Sequence, residues 1–248
     1  MPKGTDIDMN NSQFLDILKN SFLKYLEKGP RSTEKLKILH GAIAEDLFEK
    51  LNGNNETDDN YSVCSLGFDK CKEIKISGRY VDKSVDIAVN KNDIPVAGIA
   101  IKYIMSNYKQ NSNNYFENML GETANIRSNR IPYFQILIIP DKMPYFKKDG
   151  EIGKWEQIDQ KNLKKYMALA TDDIDSYCHT PNKTLLFIIN LSEDESVSMI
   201  DKKSYKKYYE TKPFSISASS KKFDFESNIV YNDYEKFIKK VKHSILSV

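Results

Sequence analysis

Two stretches, "YFQILIIP" at 133–140 and "TLLFIINLS" at 184–192, are apolar at nearly every position instead of every second one. A strand with one wet face alternates; one that is apolar on both faces must be covered on both. Such strands belong in the middle of a sheet with helices above and below it, an α/β architecture. Helical patterns are available to do the covering. Phe14, Ile17, Leu18, Phe22, Tyr25 and Leu26 recur at helical spacing until Gly29-Pro30 stops them. Leu36, Leu39, Ile43, Leu47 and Leu51 form the stripe of a second helix that opens near Ser32-Thr33 and ends at Gly53. "NNYFENMLGETANIRS" reads as a third helix, and "DYEKFIKKVKHSIL" closes the chain as an amphipathic one.

Between the second and third helices lie "YSVCSLGF", "KEIKISGRYV", "KSVDIAVN" and "IPVAGIAIKYI", short β-compatible runs separated by polar breaks. The expectation is one domain over residues 1–248, with a mixed sheet of about five strands flanked by helices on both faces. Its core spans about 32–140 plus the strand at 184–192. Residues 141–183 read as a charged, mostly helical insertion that holds the single tryptophan, Trp155, and about 200–228 as an irregular tail. Residues 1–10 are expected to fray, and "NGNNETDDN" is a loop by composition.

Composition limits function only loosely. Lys and Arg number 37 against 35 Asp and Glu, so a nucleic-acid surface would have to be local. No apolar run approaches the ~18 residues of a membrane span. Three cysteines with no metal-type spacing, and no signal peptide, point to a reducing, cytoplasmic setting. "GxGxxG", "GxxxxGK[ST]" and "GxSxG" are absent, and His40, His179 and His243 are too scattered for a zinc cluster. His40 reads as a helix-face residue.

Two charges interrupt the apolar runs: Asp86 inside "SVDIAV" and Lys102 at the end of "VAGIAIK". Burying either alone is costly, so the position needs a compensating partner. A short hairpin turn through "NKNDIP" brings the two runs side by side, with Asp86 mid-strand and Lys102 near the end of the next strand. A divalent cation would then balance the carboxylate, and the lysine beside it would polarise a water or stabilise charge on a phosphate.

This arrangement resembles the PD-(D/E)xK nuclease superfamily, which includes many type II restriction endonucleases. The resemblance covers roughly residues 35–140 and implies a restriction-endonuclease-like core. It implies Mg²⁺ as cofactor and double-stranded DNA as substrate, in a protein that acts as a homodimer on palindromic sites. A cognate DNA methyltransferase belongs to such a system. One letter departs from the pattern: in "AIK" the place of the second acid is held by Ala100, which raises the possibility of an inactive fold kept for binding. Some members keep a small residue there and supply the carboxylate from the following helix. Glu117 and Glu122 are the candidates here; five residues apart on a helix is 500°, so they point about 140° apart and only one can reach the site. Spacing and the small neighbours Gly121 and Ala124 favour Glu117, while Glu122 lies on a polar strip with Asn118 and Asn125. The resemblance also implies a glutamate on the helix before the core sheet, here Glu45. Asp86, Glu117 and Glu45 are thus the expected metal ligands, with Lys102 and Glu122 completing the catalytic set.

Three segments are candidates for contacting DNA. "SNYKQNSNNY" at 106–115 offers Asn107, Lys109, Gln110, Asn113 and Asn114, residue types that bind base edges and phosphates. "DKKSYKKYYETKPF" alternates lysines, including Lys206 and Lys207, with tyrosines able to stack. "KDGEIGKWEQIDQKNLKKY" is a third basic segment, read as a specificity insertion.

Overall fold

The computed structural model describes residues 8–53, 60–69, 72–194 and 196–247. Helices α1 (Asn11–Lys28) and α2 (Glu34–Asn52) lead into strands β1 (Tyr61–Ser65), β2 (Lys75–Ser77), β3 (Asp82–Ser84), β4 (Ile87–Lys91) and β5 (Ile94–Tyr103). Helix α3 (Tyr108–Arg127) follows, then β6 (Tyr133–Pro140), β7 (Lys142–Phe146), β8 (Ile152–Gln157) and helix α4 (Gln160–Ala170). The chain closes with β9 (Lys183–Leu191), α5 (Lys202–Thr211), β10 (Ile216–Ala218), β11 (Ile229–Tyr231) and α6 (Tyr234–Leu246).

Among the described residues the main sheet is mixed and has seven strands in place of the about five expected, in the order β1-β4-β5-β6-β9-β10, with β11 also on β9. β4 is antiparallel to both β1 and β5, whereas β6 is parallel to both β5 and β9. β11 pairs with Thr184–Leu186 and β10 with Ile189–Leu191, so the two short strands divide one edge of β9 between them. β10 comes from the segment read as an irregular tail, and β11 directly follows it. β2 and β3 form a separate hairpin outside the sheet, as do β7 and β8. The 141–183 segment is therefore a two-stranded hairpin carrying Trp155, followed by one helix, and is not mostly helical.

The two apolar faces of the central strands are both used. Ile136, Ile138, Leu185 and Phe187 pack with buried residues of α1, α2 and α6. Leu137, Ile139, Leu186 and Ile188 pack with Tyr108 and Met119 of α3 and with Leu163, Tyr166 and Leu169 of α4. Burying each such side chain contributes roughly 2 kcal/mol against the cost of ordering the chain.

One buried acid helps to tie the helical layer together. Asp46 of α2 accepts from Met9 N (3.0 Å), Lys50 Nζ (2.8 Å) and Tyr234 Oη (2.7 Å), so α2, the segment before α1 and α6 meet on one carboxylate. Asp8 and Met9 are thus held, Asp8 by Lys50 and Met9 by Asp46, and fraying does not extend to them. Residues 1–7, and 54–59 of the expected loop, lie outside the described residues. Cys64 is disulfide-bonded, which the reducing setting expected from the cysteine count does not account for, and Cys178 is free and exposed. No helix among the described residues is long and apolar enough to cross a membrane.

Candidate functional site

The β4–β5 hairpin turns through Asn92 (φ 51°) and Asp93 (φ 65°), the pair of positive φ angles of a tight two-residue hairpin loop. A register shift follows at Val89/Asn90, where Asn90 pairs with Pro95 but Val89 pairs with Ala97. Val96 is the extra residue. Without it Asp86 would stand level with Ile99; with it, Ile87 pairs with Ile99 and Asp86 comes level with Ala100. Asp86 sits one residue before β4 and not mid-strand as expected: its carbonyl accepts from Ser65 Oγ (2.7 Å), outside the strand ladder.

Asp86, Ala100 and Lys102 line a cavity of about 370 Å³, together with Glu122, His40, Lys83 and Gln135. The Asp86 carboxylate accepts from the backbone N–H of Ile101 at 2.6 Å through Oδ2. Burial pushes its pKa from 3.8 up to about 6; the Ile101 N–H and Lys102 oppose that rise, and Glu122 adds to it. Lys102, exposed near the end of β5, lies 5.5 Å from the Tyr115 ring centroid. The Tyr133 phenol, buried with Glu122 and Asp86 nearby, is held in its neutral form.

Helix α3 presents Glu122 and not Glu117. Glu122 lines the cavity and pairs with Lys83 of β3 at 2.6 Å. Asn118, one turn before it, lines the same cavity. Asn125, one turn after, accepts from Tyr80 N (2.9 Å) and Val81 N (3.2 Å) and donates to Val81 O (2.8 Å), clamping the β2–β3 hairpin beside the site. Glu117 is exposed and faces Lys165 of α4. The small-residue face that favoured it points outward: a Cβ on Gly121 would meet nothing within 4 Å.

Helix α2 likewise presents a different residue from the one expected. Glu45 is exposed and is not among the residues lining the cavity. His40, about 140° away on the same helix, lines it instead and is 1% exposed. A close backbone approach sets this geometry, because a Cβ on Gly41 would lie 2.5 Å from the Gly67 carbonyl oxygen. His40 Nδ1 lies 3.9 Å from Asp86 Oδ1. Burial lowers the imidazole pKa to about 4, so at neutral pH this contact is not an ion pair. Glu73, between β1 and β2, completes the group: ligand atoms of His40, Glu73 and Asp86 all lie within 4.8 Å of one another. Sequence reasoning passed over Glu73, which sits in a polar break, and read His40 as an ordinary helix residue. Oxygen donors from Asp86 and Glu73, with the buried His40 imidazole whose ring nitrogens have no hydrogen-bond partner, form a donor set that fits a divalent cation.

The expected DNA-reading segments are placed differently from one another. "SNYKQNSNNY" is not a loop: α3 begins at Tyr108, whose fully buried ring anchors that turn. Asn107 precedes the helix, and its amide donates to Phe146 O (2.9 Å) and accepts from Phe146 N (3.0 Å), so both ends are committed to β7. Asn113 accepts from Lys165 Nζ at 3.1 Å, while Gln110 and Asn114 are exposed. Lys109 lies 3.7 Å from Asp159 and lines a second cavity, of about 530 Å³, with Trp155, Lys221 and Lys222. "DKKSYKKYYETKPF" forms helix α5, and its tyrosines cannot stack on bases because Tyr205, Tyr208 and Tyr209 are buried. Lys206 reaches Glu210 at 3.6 Å, and Lys207 is exposed.

Comparison of the chain with protein-family models, with curated proteins and with solved structures returns no match.

Proposed function

We propose that this chain is a Mg²⁺-dependent DNA endonuclease of the PD-(D/E)xK type, acting site-specifically as type II restriction enzymes do. The observation that carries this reading is the meeting of Asp86, just before β4, with Lys102 of β5 and Glu122 of α3 on one cavity. Glu122 supplies the acid that Ala100 lacks. Asp86 and Glu122 would hold the cation, which when bound supplies positive charge to the scissile phosphate and makes a water acidic enough to attack. Lys102 orients that water and offers its ammonium charge to the developing oxyanion. The Ile101 N–H fixes one oxygen of Asp86, so the carboxylate is aimed before any ligand arrives. Lys83, in the same cavity, is placed to take a phosphate oxygen when Glu122 turns to the cation.

The test is incubation of supercoiled plasmid or phage DNA with the protein and Mg²⁺. Discrete fragments support the reading, and Lys102→Ala should lower the rate by about 100-fold or more while a gel shift on the same DNA persists. An unchanged rate in Lys102→Ala removes the mechanism. The homodimer and the cognate methyltransferase belong to the same proposal; a single monomeric species cutting non-palindromic sites would remove the homodimer. An RNA- or structure-specific nuclease is separated by competing DNA and RNA substrates.

A second reading, a nuclease fold that binds without cutting, is favoured by the Lys83–Glu122 pair, which neutralises the replacement acid, and by Ala100 itself. A gel shift with no cleavage at any Mg²⁺ concentration supports it.

A further inference from the structure

We infer that His40, Glu73 and Asp86 form a cation site that takes a nitrogen ligand and so favours a first-row transition-metal dication, such as Zn²⁺ or Co²⁺, over Mg²⁺. Its consequence for catalysis rests on the nuclease reading, through the shared Asp86, but the binding itself needs no nucleic acid.

Two observations converge. The ligand atoms of the three side chains already lie within 4.8 Å of one another. Around one ion, with bonds of ~2.1 Å, ligand atoms stand roughly 3 to 4.2 Å apart, so a pair at the outer limit needs to close by about 0.6 to 1.8 Å. His40 is 1% exposed, and among the described residues neither of its ring nitrogens has a hydrogen-bond partner. A buried polar group left without a partner costs about 1–3 kcal/mol, which a ligand bond at Nδ1 would relieve.

The donor set chooses the class of ion. Mg²⁺ takes oxygen ligands, keeps several of its waters and gains little from an imidazole. Imidazole beside two carboxylates suits Zn²⁺ and its neighbours, whose affinity for nitrogen is higher. The close approach of α2 to the Gly67 backbone at the next residue, with the burial of the ring, holds the His40 nitrogen beside the two carboxylates.

The probes are Zn²⁺ and Mg²⁺, titrated calorimetrically into the chelator-treated full chain without DNA, and Co²⁺ for proton NMR. One tight Zn²⁺ site per chain is expected, binding at least 100-fold more strongly than Mg²⁺, with the Co²⁺ form showing strongly shifted imidazole ring protons. His40→Asn should remove those resonances and the Zn²⁺ preference. Glu73→Gln, which leaves the buried ring alone, should weaken Zn²⁺ by tenfold or more and guards against a folding defect in the first variant. The exposed Cys178 and His179 offer another place for Zn²⁺. A tight site that survives both variants and is lost in His179→Ala overturns the inference, as does equal affinity for Zn²⁺ and Mg²⁺. Zn²⁺ binding with no DNA cleavage would leave this site standing and remove the nuclease reading. Mg²⁺-driven cleavage indifferent to Glu73→Gln, with no Zn²⁺ preference, would do the reverse.

Discussion

Replacing Asp86 by Asn should make the protein more stable at neutral pH, and the gain should vanish in acid. The carboxyl's pKa stands at about 6 in the folded chain against 3.8 when unfolded. A raised carboxyl pKa means the folded state holds its proton longer, so its contribution is favourable below pH 4 and is lost as pH rises through 6. The full difference is about 3 kcal/mol at pH 7 and about 0.5 kcal/mol at pH 4. Asn keeps an oxygen to accept the Ile101 N–H and removes the ionisation. His40 contributes with the opposite sign. Its pKa falls to about 4, so its share is present above 6.5 and is lost as pH drops toward 4. The two nearly offset in the wild-type curve, which makes the difference between variant and wild type the informative quantity. Urea denaturation in chelator at pH 7 and pH 4 measures it: Asp86→Asn should be more stable by about 2–3 kcal/mol at pH 7 and by under ~1 kcal/mol at pH 4. Added Mg²⁺ should narrow the gap at pH 7 by stabilising only the wild type. A variant that is no more stable at pH 7, or a gap of equal size at both pH values, refutes the electrostatic account of Asp86.

Other consequences concern the frame around the site. Asp46→Ala leaves the Met9 N–H and the Tyr234 hydroxyl without their acceptor and Lys50 with Asp8 alone, and should cost about 3 kcal/mol in the same denaturation assay; a loss under ~1 kcal/mol would show that the helices do not depend on that carboxylate. Asn125→Ala should speed amide exchange at Tyr80 and Val81, which its side chain now accepts, and unchanged protection would remove its role as a clamp. Tyr205→Ala should destabilise the fold by about 3 kcal/mol, whereas Lys207→Ala should leave stability within ~0.5 kcal/mol, the opposite of a stacking strip whose tyrosines are free.

What the residues announced and what they concealed divides along the range of the contacts involved. β6 and β9 were legible because a strand apolar on both faces has few places to go. Asp86 and Lys102 were legible because charges are rare in such runs and the "NKNDIP" turn constrains their neighbours. Helix α5 carried a readable signal that was set aside: Tyr205, Tyr208 and Tyr209 recur at helical spacing, which marks a packed face before it marks a stacking platform. The same holds for Glu122, whose polar neighbours Asn118 and Asn125 indicated the strip that faces the cavity and the hairpin. Gly121 misled because a small residue permits close packing without requiring it. His40 and Glu73 had no local signal at all. Their proximity to Asp86 depends on the approach of α2 to Gly67 and on the path between β1 and β2, contacts that periodicity does not encode. The bulge at Val96 is equally silent in the sequence, yet it decides that Asp86 stands level with Ala100.

The most direct measurement compares Mg²⁺-dependent DNA cleavage by Glu122→Gln and Glu117→Gln. The convergence of Asp86, Lys102 and Glu122 on one cavity requires Glu122→Gln to lose cleavage by about 100-fold or more and Glu117→Gln to cut at the wild-type rate. Cleavage that survives Glu122→Gln but fails in Glu117→Gln would contradict that centre.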